Sequence, residues 1–289
     1  MQLALNILVL ASIYALISCG YVLIYRVSRV LNLAHGELMM LGAYALHVTA
    51  SLFSGQPLLA VPVAALLALT VGGLVYALLM RRMTGEAVLA AVLTTIALGV
   101  LLRGAMVLVF TAQEQHPLEA LGFSSSSIAI GDARLSTVGA VLILATAAVY
   151  GGLYAFLGFT SWGIRMRAAG QNPLLAAQRG IGLHGIYALA WGLATFTGGL
   201  AGMLIACDSA LDQTMVVIGL KAFPAALVGG LDSLLGAVAG ALIVAAAEVL
   251  LIHYVNPLLS DVVPFFVLLA TLIVRPWGLF GSKEELDRV

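Results

Sequence analysis

Charged residues are scarce in this chain of 289 residues. They make up only 9% of it, whereas 62% of the residues are hydrophobic and the mean hydropathy is +1.11. Soluble domains carry about 25% charged residues, because their surfaces face water. A charge at the centre of a bilayer costs roughly 2.5–3.5 kcal/mol on insertion scales, so chains that face lipid have few. The composition leaves no room for a soluble catalytic domain and predicts an integral membrane protein.

A basic excess and a cysteine framework are also missing. The formal net charge is zero, which argues against nucleic acid as a partner, since nucleic-acid-binding domains are basic. The two cysteines, Cys19 and Cys207, lie far apart in apolar stretches. We expect both to be buried as small apolar side chains without a disulfide.

Motifs for catalysis, nucleotide binding and metal binding are absent as well. His35-Gly-Glu37 lacks the His-Glu-x-x-His spacing of a metalloprotease, and no Gly-x-Ser-x-Gly elbow occurs. Gly281-Ser-Lys283 has the wrong order for a P-loop. No cluster of His, Cys and carboxylates has metal-ligand spacing. We therefore predict no enzyme, no cofactor and no metal site, and a transporter or channel subunit remains.

Long apolar runs predict an all-α polytopic bundle that forms a single domain over residues 1–289. A helix needs about 20 apolar residues to cross a bilayer. Eight spans are predicted, over residues 3–25, 31–53, 57–80, 87–110, 137–158, 186–206, 236–252 and 262–274. A ninth segment, 216–231, is shorter and carries Lys221 and Pro224, so we expect a broken or short span there.

The distribution of basic residues predicts the orientation. Ten of the thirteen Lys and Arg residues fall on one side of a nine-crossing topology: Arg26, Arg29, Arg81, Arg82, Arg165, Arg167, Arg179, Arg275, Lys283 and Arg288. The positive-inside rule makes that side cytoplasmic. We therefore expect an external N-terminus and a cytoplasmic C-terminus. The polar loop 111–136 is then external, and we assign it no chemistry.

A first motif, Asn32-Leu-Ala-His35-Gly-Glu37, brings three polar residues together at the start of the second span. Polar groups in hydrocarbon need partners, because an unsatisfied group costs several kcal/mol. The motif is typical either of a gate or solute path, or of a hydrogen-bonded cluster that fixes helix packing. Within other spans, Arg103 and Glu248 are candidates for path residues or a structural pair, and they could pair with each other.

A second motif lies in the loop between spans five and six, which contains Arg165 and Arg167. Asn172 suits the N-cap of a helix, Pro173 its first position and Gly180 the position after its end. The predicted helix of about two turns, residues 173–179, is too short to persist without a docking surface. Its residues Leu174, Leu175 and Arg179 would contact either another subunit, as a coupling helix, or the protein's own spans.

Four motifs in order resemble the branched-chain amino acid ABC transporter permease family: Asn-Leu-Ala-His-Gly-Glu, the Arg-x-Arg loop ending in Gly-Ile-Gly, Ala-Phe-Pro-Ala-Ala-Leu-Val-Gly-Gly-Leu, and Arg275-Pro-Trp-Gly-Leu-Phe-Gly281. The similarity runs from about residue 14 to 281 and is to the shorter permease type, although Pro224 stands where Ala or Val is more frequent. It implies a bacterial inner-membrane importer with a second permease subunit, two cytoplasmic ATPases and an external solute-binding protein. The family also includes urea and short-amide transporters.

We therefore expect a permease that moves a small solute, such as a branched-chain amino acid, using ATP hydrolysed on another chain. A secondary transporter with a proton relay through His35, Glu37 or Glu248 is an alternative from another class. An assembly subunit that conducts nothing is a third.

Overall fold

The computed structural model describes residues 1–281 apart from 54 and 112, so Lys283 and Arg288 of the predicted basic side lie outside the described residues. The chain folds into twelve α-helices within that part. They are α1 (Gln2–Ser28), α2 (His35–Leu52), α3 (Pro57–Leu78), α4 (Val88–Phe110), α5 (Pro117–Ala120), α6 (Thr137–Phe159), α7 (Ser161–Gln171), α8 (Pro173–Gln178), α9 (Leu183–Asp208), α10 (Met215–Gly229), α11 (Leu234–Tyr254) and α12 (Val263–Val274). Two 3₁₀ turns, Met80–Met83 and Pro257–Leu259, join them.

Six of these helices are long and apolar enough to cross a membrane, namely α1, α3, α4, α6, α9 and α11. Helix α2 has 18 residues, which corresponds to roughly 27 Å. The described helices therefore confirm an all-α polytopic bundle. Two of them, α1 and α9, are mostly buried, whereas α3, α4 and α6 expose most of their surface.

Two of the predicted crossings are short helices. The segment predicted over 216–231 forms one continuous 15-residue helix, α10 (Met215–Gly229), with Pro224 inside it, so it is short and not broken. The segment predicted over 262–274 forms α12 within one residue of those bounds, but its 12 residues, or roughly 18 Å, are fewer than a full span needs to cross about 30 Å of hydrocarbon. The apolar run reaches no further because a 3₁₀ turn precedes Pro264, which stands at the start of the helix.

Small residues allow the central helices to approach closely. A Cβ on Gly199 of α9 would come within 2.9 Å of the side chain of Ala68 on α3, and Gly42 of α2 lies directly against Gly199 on its other side. Apolar burial drives no association between helices in lipid, so close backbone packing of this kind holds membrane helices together. Helices α1, α2, α3 and α9 form the packed centre in this way.

The loop 111–136 contains regular structure that the sequence analysis missed. Strands β1 (Ser127–Ile130) and β2 (Ala133–Ser136) form an antiparallel hairpin in which Ile128 pairs with Leu135. Gly131, with φ +61°, makes the turn. The alternation of polar and apolar residues around Gly131-Asp132 was the available signal. The side chain of Gln2 accepts from the backbone of Arg134 at 2.8 Å and fixes the hairpin to the start of α1.

The helices run between two chemically different ends. At the basic end, Arg29 Nη2 donates to the Gly170 carbonyl at 3.3 Å, and the Tyr76 hydroxyl lies 2.9 Å from His184 Nδ1. This end holds the described arginines of the predicted cytoplasmic side, Arg26, Arg29, Arg81, Arg82, Arg165, Arg167, Arg179 and Arg275. The acidic end holds the hairpin and the carboxylates Glu114, Glu119, Asp132, Asp208, Asp212 and Asp261.

The separation of charge predicts the topology, with the basic end in the cytoplasm. Reporter fusions after Gly55, Met83 and Lys283 should report outside, inside and inside. Gly55 and Met83 flank α3, so they provide a matched pair on either side of one helix. An external Lys283 together with an internal Gly55 would contradict this orientation.

Candidate functional site

Asn32 organises the turn that leads into α2. Its Oδ1 accepts a hydrogen bond from the Ala34 amide at 3.1 Å, and the residue is fully buried. Thr95 of α4 accepts from the Leu33 amide at 3.1 Å, which fixes the same turn from the other side. Asn32 Nδ2 is buried without a hydrogen-bond partner among the described residues. The Asn32 side chain therefore shapes the backbone where α2 begins.

His35 lies inside the helix packing. Its ring is fully buried between Gly20 of α1 and Gly198 of α9, where a Cβ on Gly198 would stand 2.9 Å from Nε2. The ring of Tyr21 meets it edge-on, with 4.6 Å between the centroids. Neither ring nitrogen has a hydrogen-bond partner of ordinary geometry within the described chain. This arrangement supports the packing interpretation of the motif at His35.

Glu37 differs from its two neighbours because it reaches the surface of the bundle. Its half-buried carboxyl group lies against Gly99 of α4, where an added Cβ would stand 3.2 Å from Cδ. Arg103, one turn further along α4, is exposed and interacts electrostatically with this carboxylate. Arg103 is thus exposed and not buried, and of the alternatives left open by the sequence its pairing with Glu248 is not formed: Arg103 acts on Glu37 instead.

Glu248 has a different cationic partner, Lys221. Helices α10 and α11 place the two side chains in a buried ion pair, with Lys221 8% exposed and Glu248 3% exposed. The Tyr14 hydroxyl of α1 donates to the second carboxylate oxygen, Oε2, at 2.6 Å. Asp261 Oδ1, just before α12, lies 3.4 Å from Lys221 Nζ. We call these four residues the Lys221 network.

The sequence analysis noted Lys221 only as a charge in a short apolar segment. The missed signal was its combination with Glu248, because a charge within a membrane helix needs a partner of opposite sign. Two such residues of opposite sign stand on consecutive helices, α10 and α11. The Lys221–Glu248 pair could have been proposed from this placement on consecutive helices, whereas the contacts that Tyr14 and Asp261 make with it could not.

The predicted helix after Asn172 is present as α8. Asn172 Oδ1 accepts from the Leu175 amide at 3.0 Å, Pro173 takes the first position, and Gly180 has φ +79° after the end. The helix ends at residue 178, one residue before the predicted end. Leu174 and Leu175 are 68% and 56% exposed. The basic end thus presents two adjacent leucines on a capped helix.

Arginines surround this helix. Arg165 of α7 packs over the ring of Trp162, with 5.6 Å from Cζ to the centroid. Arg165 and Arg179 line a cavity of about 370 Å³ that reaches the start of α9. Arg167 is half-buried beside Arg26 of α1. The segment from Arg165 to Gly180 therefore forms a continuous surface with apolar and basic parts.

The closing motif, residues 275–281, binds the end of α10. The Leu279 amide donates to the Val228 carbonyl at 2.9 Å, and the Phe280 amide donates to the Gly229 carbonyl at 3.0 Å. Gly278 has φ +80° and lies against Gly230. Two motifs that are separate in the sequence thus form one structural unit, and we call residues 275–281 the closing segment.

Comparison with known proteins gives a consistent result. The family model described as "Branched-chain amino acid transport system / permease component" matches residues 3–272. The high-affinity branched-chain amino acid transport system permease protein BraD of Pseudomonas aeruginosa is 26% identical over 301 residues, covering 100% of this chain and 98% of that protein. Its counterpart LivH of Escherichia coli K12 is 27% identical over 304 residues, covering 100% and 97%.

A relative named for another solute is the guanosine ABC transporter permease protein NupQ of Bacillus subtilis. It is 28% identical over 275 residues, covering 90% of this chain and 85% of that protein. The three relatives are permease proteins of transport systems, and none is named as an enzyme.

The Lys221 network predicts opposite effects for single and paired substitutions. Lys221→Met should destabilise the protein by roughly 3–5 kcal/mol, because it leaves the Glu248 carboxylate buried without its cation. The double variant Lys221→Met with Glu248→Leu should recover most of that loss, since it removes both charges. Thermal unfolding in detergent measures both. A double variant less stable than Lys221→Met would contradict the pairing.

Proposed function

Because this chain belongs to the family of branched-chain amino acid transport permease components, we propose that it is the membrane-spanning permease subunit of an ATP-binding-cassette importer for branched-chain or other hydrophobic amino acids. The observation that carries the proposal is the family match over residues 3–272. Two relatives aligned along the whole chain carry branched-chain amino acids in their names. The chain acts at a bacterial inner membrane with its basic end in the cytoplasm.

The energy for transport comes from partner chains in this proposal. No P-loop occurs in the sequence, so ATP is hydrolysed on two separate cytoplasmic ATPase subunits. The exposed leucines of α8 at the basic end support an ATPase contact there. An external solute-binding protein delivers the solute to the acidic end.

The solute path runs along the face that carries Glu37 and Arg103. Arg103 stands seven residues before the end of α4, or roughly 10 Å inside the helix, and it is exposed. Ionisable residues at such depth normally face the interior of a bundle or a water-filled cavity and not lipid. A second, homologous permease subunit would cover this face and supply the other half of the path. His35 and Asn32 stabilise the path by fixing the position of α2.

Uptake in reconstituted liposomes tests the solute class. The experiment contains this chain with the second permease, ATPase and binding protein of its transport system, and it measures ATP-dependent entry of radiolabelled leucine. Excess unlabelled isoleucine should compete, whereas guanosine, urea and acetamide should not. Competition by guanosine or by the amides instead would reassign the solute. Uptake that follows a proton gradient without ATP would reject the ATP-driven proposal.

The coupling assignment predicts a loss of ATPase binding from the basic end. Replacing Leu174 and Leu175 together by Asp should weaken the association by at least about 100-fold, because each buried leucine contributes about 1.5–3 kcal/mol. Co-purification of the ATPase and leucine uptake measure the effect.

The matched control replaces Phe123 and Ile128 by Asp. Both are similarly exposed apolar residues, but they lie at the acidic end, so ATPase recovery should be unchanged. Gly180→Val should act more mildly than the leucine pair, because it strains only the position with φ +79°. Wild-type recovery and uptake in the double Leu variant would leave α8 as a connector.

A further inference from the structure

We propose that Lys221 is a positioning residue for transport. It fixes the acidic end of α12 through its contact with Asp261, and release of Asp261 transmits the docking of a partner at the external surface to α1. The proposal rests on the proposed function, since it assigns a role in the transport cycle. It depends on the way in which three charged groups and one hydroxyl share their contacts.

Within the Lys221 network, the two contacts of Lys221 differ in how readily water can replace them. Both carboxylate oxygens of Glu248 are occupied, one by Lys221 Nζ and the other by the Tyr14 hydroxyl. Breaking that pair would leave a buried charge, which is strongly unfavourable. Asp261 is different because its side chain is 72% exposed. Water can solvate the Asp261 carboxylate after it leaves Lys221, so this contact is the releasable one.

Lys221 itself stands on a fixed part of α10. Tyr21 of α1 donates from its hydroxyl to the Gly219 carbonyl at 3.2 Å, and Ser18 Oγ donates to the Ala222 carbonyl at 3.0 Å. These bonds lie on either side of Lys221 in the sequence. The ammonium group is therefore anchored to the core, and the element free to move is the segment that carries Asp261.

The two ends of α12 are held by different interactions. Its C-terminal end continues into the closing segment, whose amides bind the carbonyls of Val228 and Gly229. Before its N-terminal end, residues 255–262 make only local hydrogen bonds within the described chain, to α11, to one another and to the first turn of α12, apart from the contact of Asp261 with Lys221. Val263 and Pro264 add apolar burial at this end. Release of Asp261 thus removes the polar contact that joins the acidic end of α12 to α10, while the basic end stays fixed.

The trigger has a defined chemistry. A cationic side chain, Lys or Arg, on a partner that docks at the acidic end would compete with Lys221 for the exposed carboxylate. The other carboxylates at that end, such as Asp208 and Asp212, favour the approach of a cationic surface. Once Asp261 has left, Lys221 is bound to Glu248 alone. The strengthened pair then acts on Tyr14 and on α1, the most buried of the long helices.

Hydrogen exchange on the purified full-length chain provides the first test. Asp261→Asn should speed amide exchange in residues 255–266 by roughly two- to fivefold, which is what an ion pair with one exposed partner contributes. Exchange in residues 14–24 of α1 should change as well, because Lys221 is then bound to Glu248 alone and the altered pair acts on α1 through Tyr14. Asp132→Asn is the matched control: Asp132 is an exposed carboxylate at the same end, in the hairpin turn, and its loss should change neither segment.

ATPase activity of the reconstituted transporter provides the second test, since a purely structural tie would not alter it. Asp261→Asn should raise basal hydrolysis and reduce its stimulation by solute-loaded binding protein several-fold, whereas Lys221→Arg should retain stimulation. Faster exchange with wild-type stimulation would make Asp261 a structural contact only and overturn the proposal. Unchanged exchange would overturn it as well. Failure of the proposed function looks different, because the wild-type complex itself would then show no stimulation.

Discussion

Burial removes a polar group from bulk solvent, and the carboxylate of Glu248, which is 3% exposed, depends on that constraint most directly. Two elements distant in sequence, α1 and α10, each supply one donor to it, from Tyr14 and Lys221. Apolar contacts are indifferent to small rotations of a helix, whereas a carboxylate with two donors is not. The rotation of α1, α10 and α11 about their axes is therefore set by three polar side chains.

Glycine has a complementary role, because it decides how near the helices can come. Gly20 and Gly198 leave just enough space for the imidazole of His35, so a polar side chain fills a gap between three helices. The same motif presents Glu37 to the surface two residues later. One short sequence thus serves both packing and a charged face, because successive residues at the start of α2 point in different directions.

Composition alone was sufficient to predict the membrane class and most helices, since lipid removes charge from everything that faces it. Local signals were also reliable: Asn172, Pro173 and Gly180 each act within one turn of chain, and α8 formed as predicted. Contacts between segments that are distant in the sequence could not be predicted from it. The partner of Arg103 could not be decided from the sequence, because the choice between Glu37 and Glu248 depends on which helix lies beside α4. The hairpin was missed because a search for apolar runs overlooks alternation.

The closing segment has a consequence for how the protein is made. Its amides bind the Val228 and Gly229 carbonyls at the end of α10, yet two further helices, α11 and α12, are synthesised in between. Until the ribosome has released residues 279 and 280, those carbonyls must be satisfied in another way, by headgroups or interfacial water. The last apolar helices therefore insert into a bundle that is still incomplete, and a chain truncated before residue 279 would leave the Val228 and Gly229 carbonyls without these donors even though the helices α1 to α12 are all present.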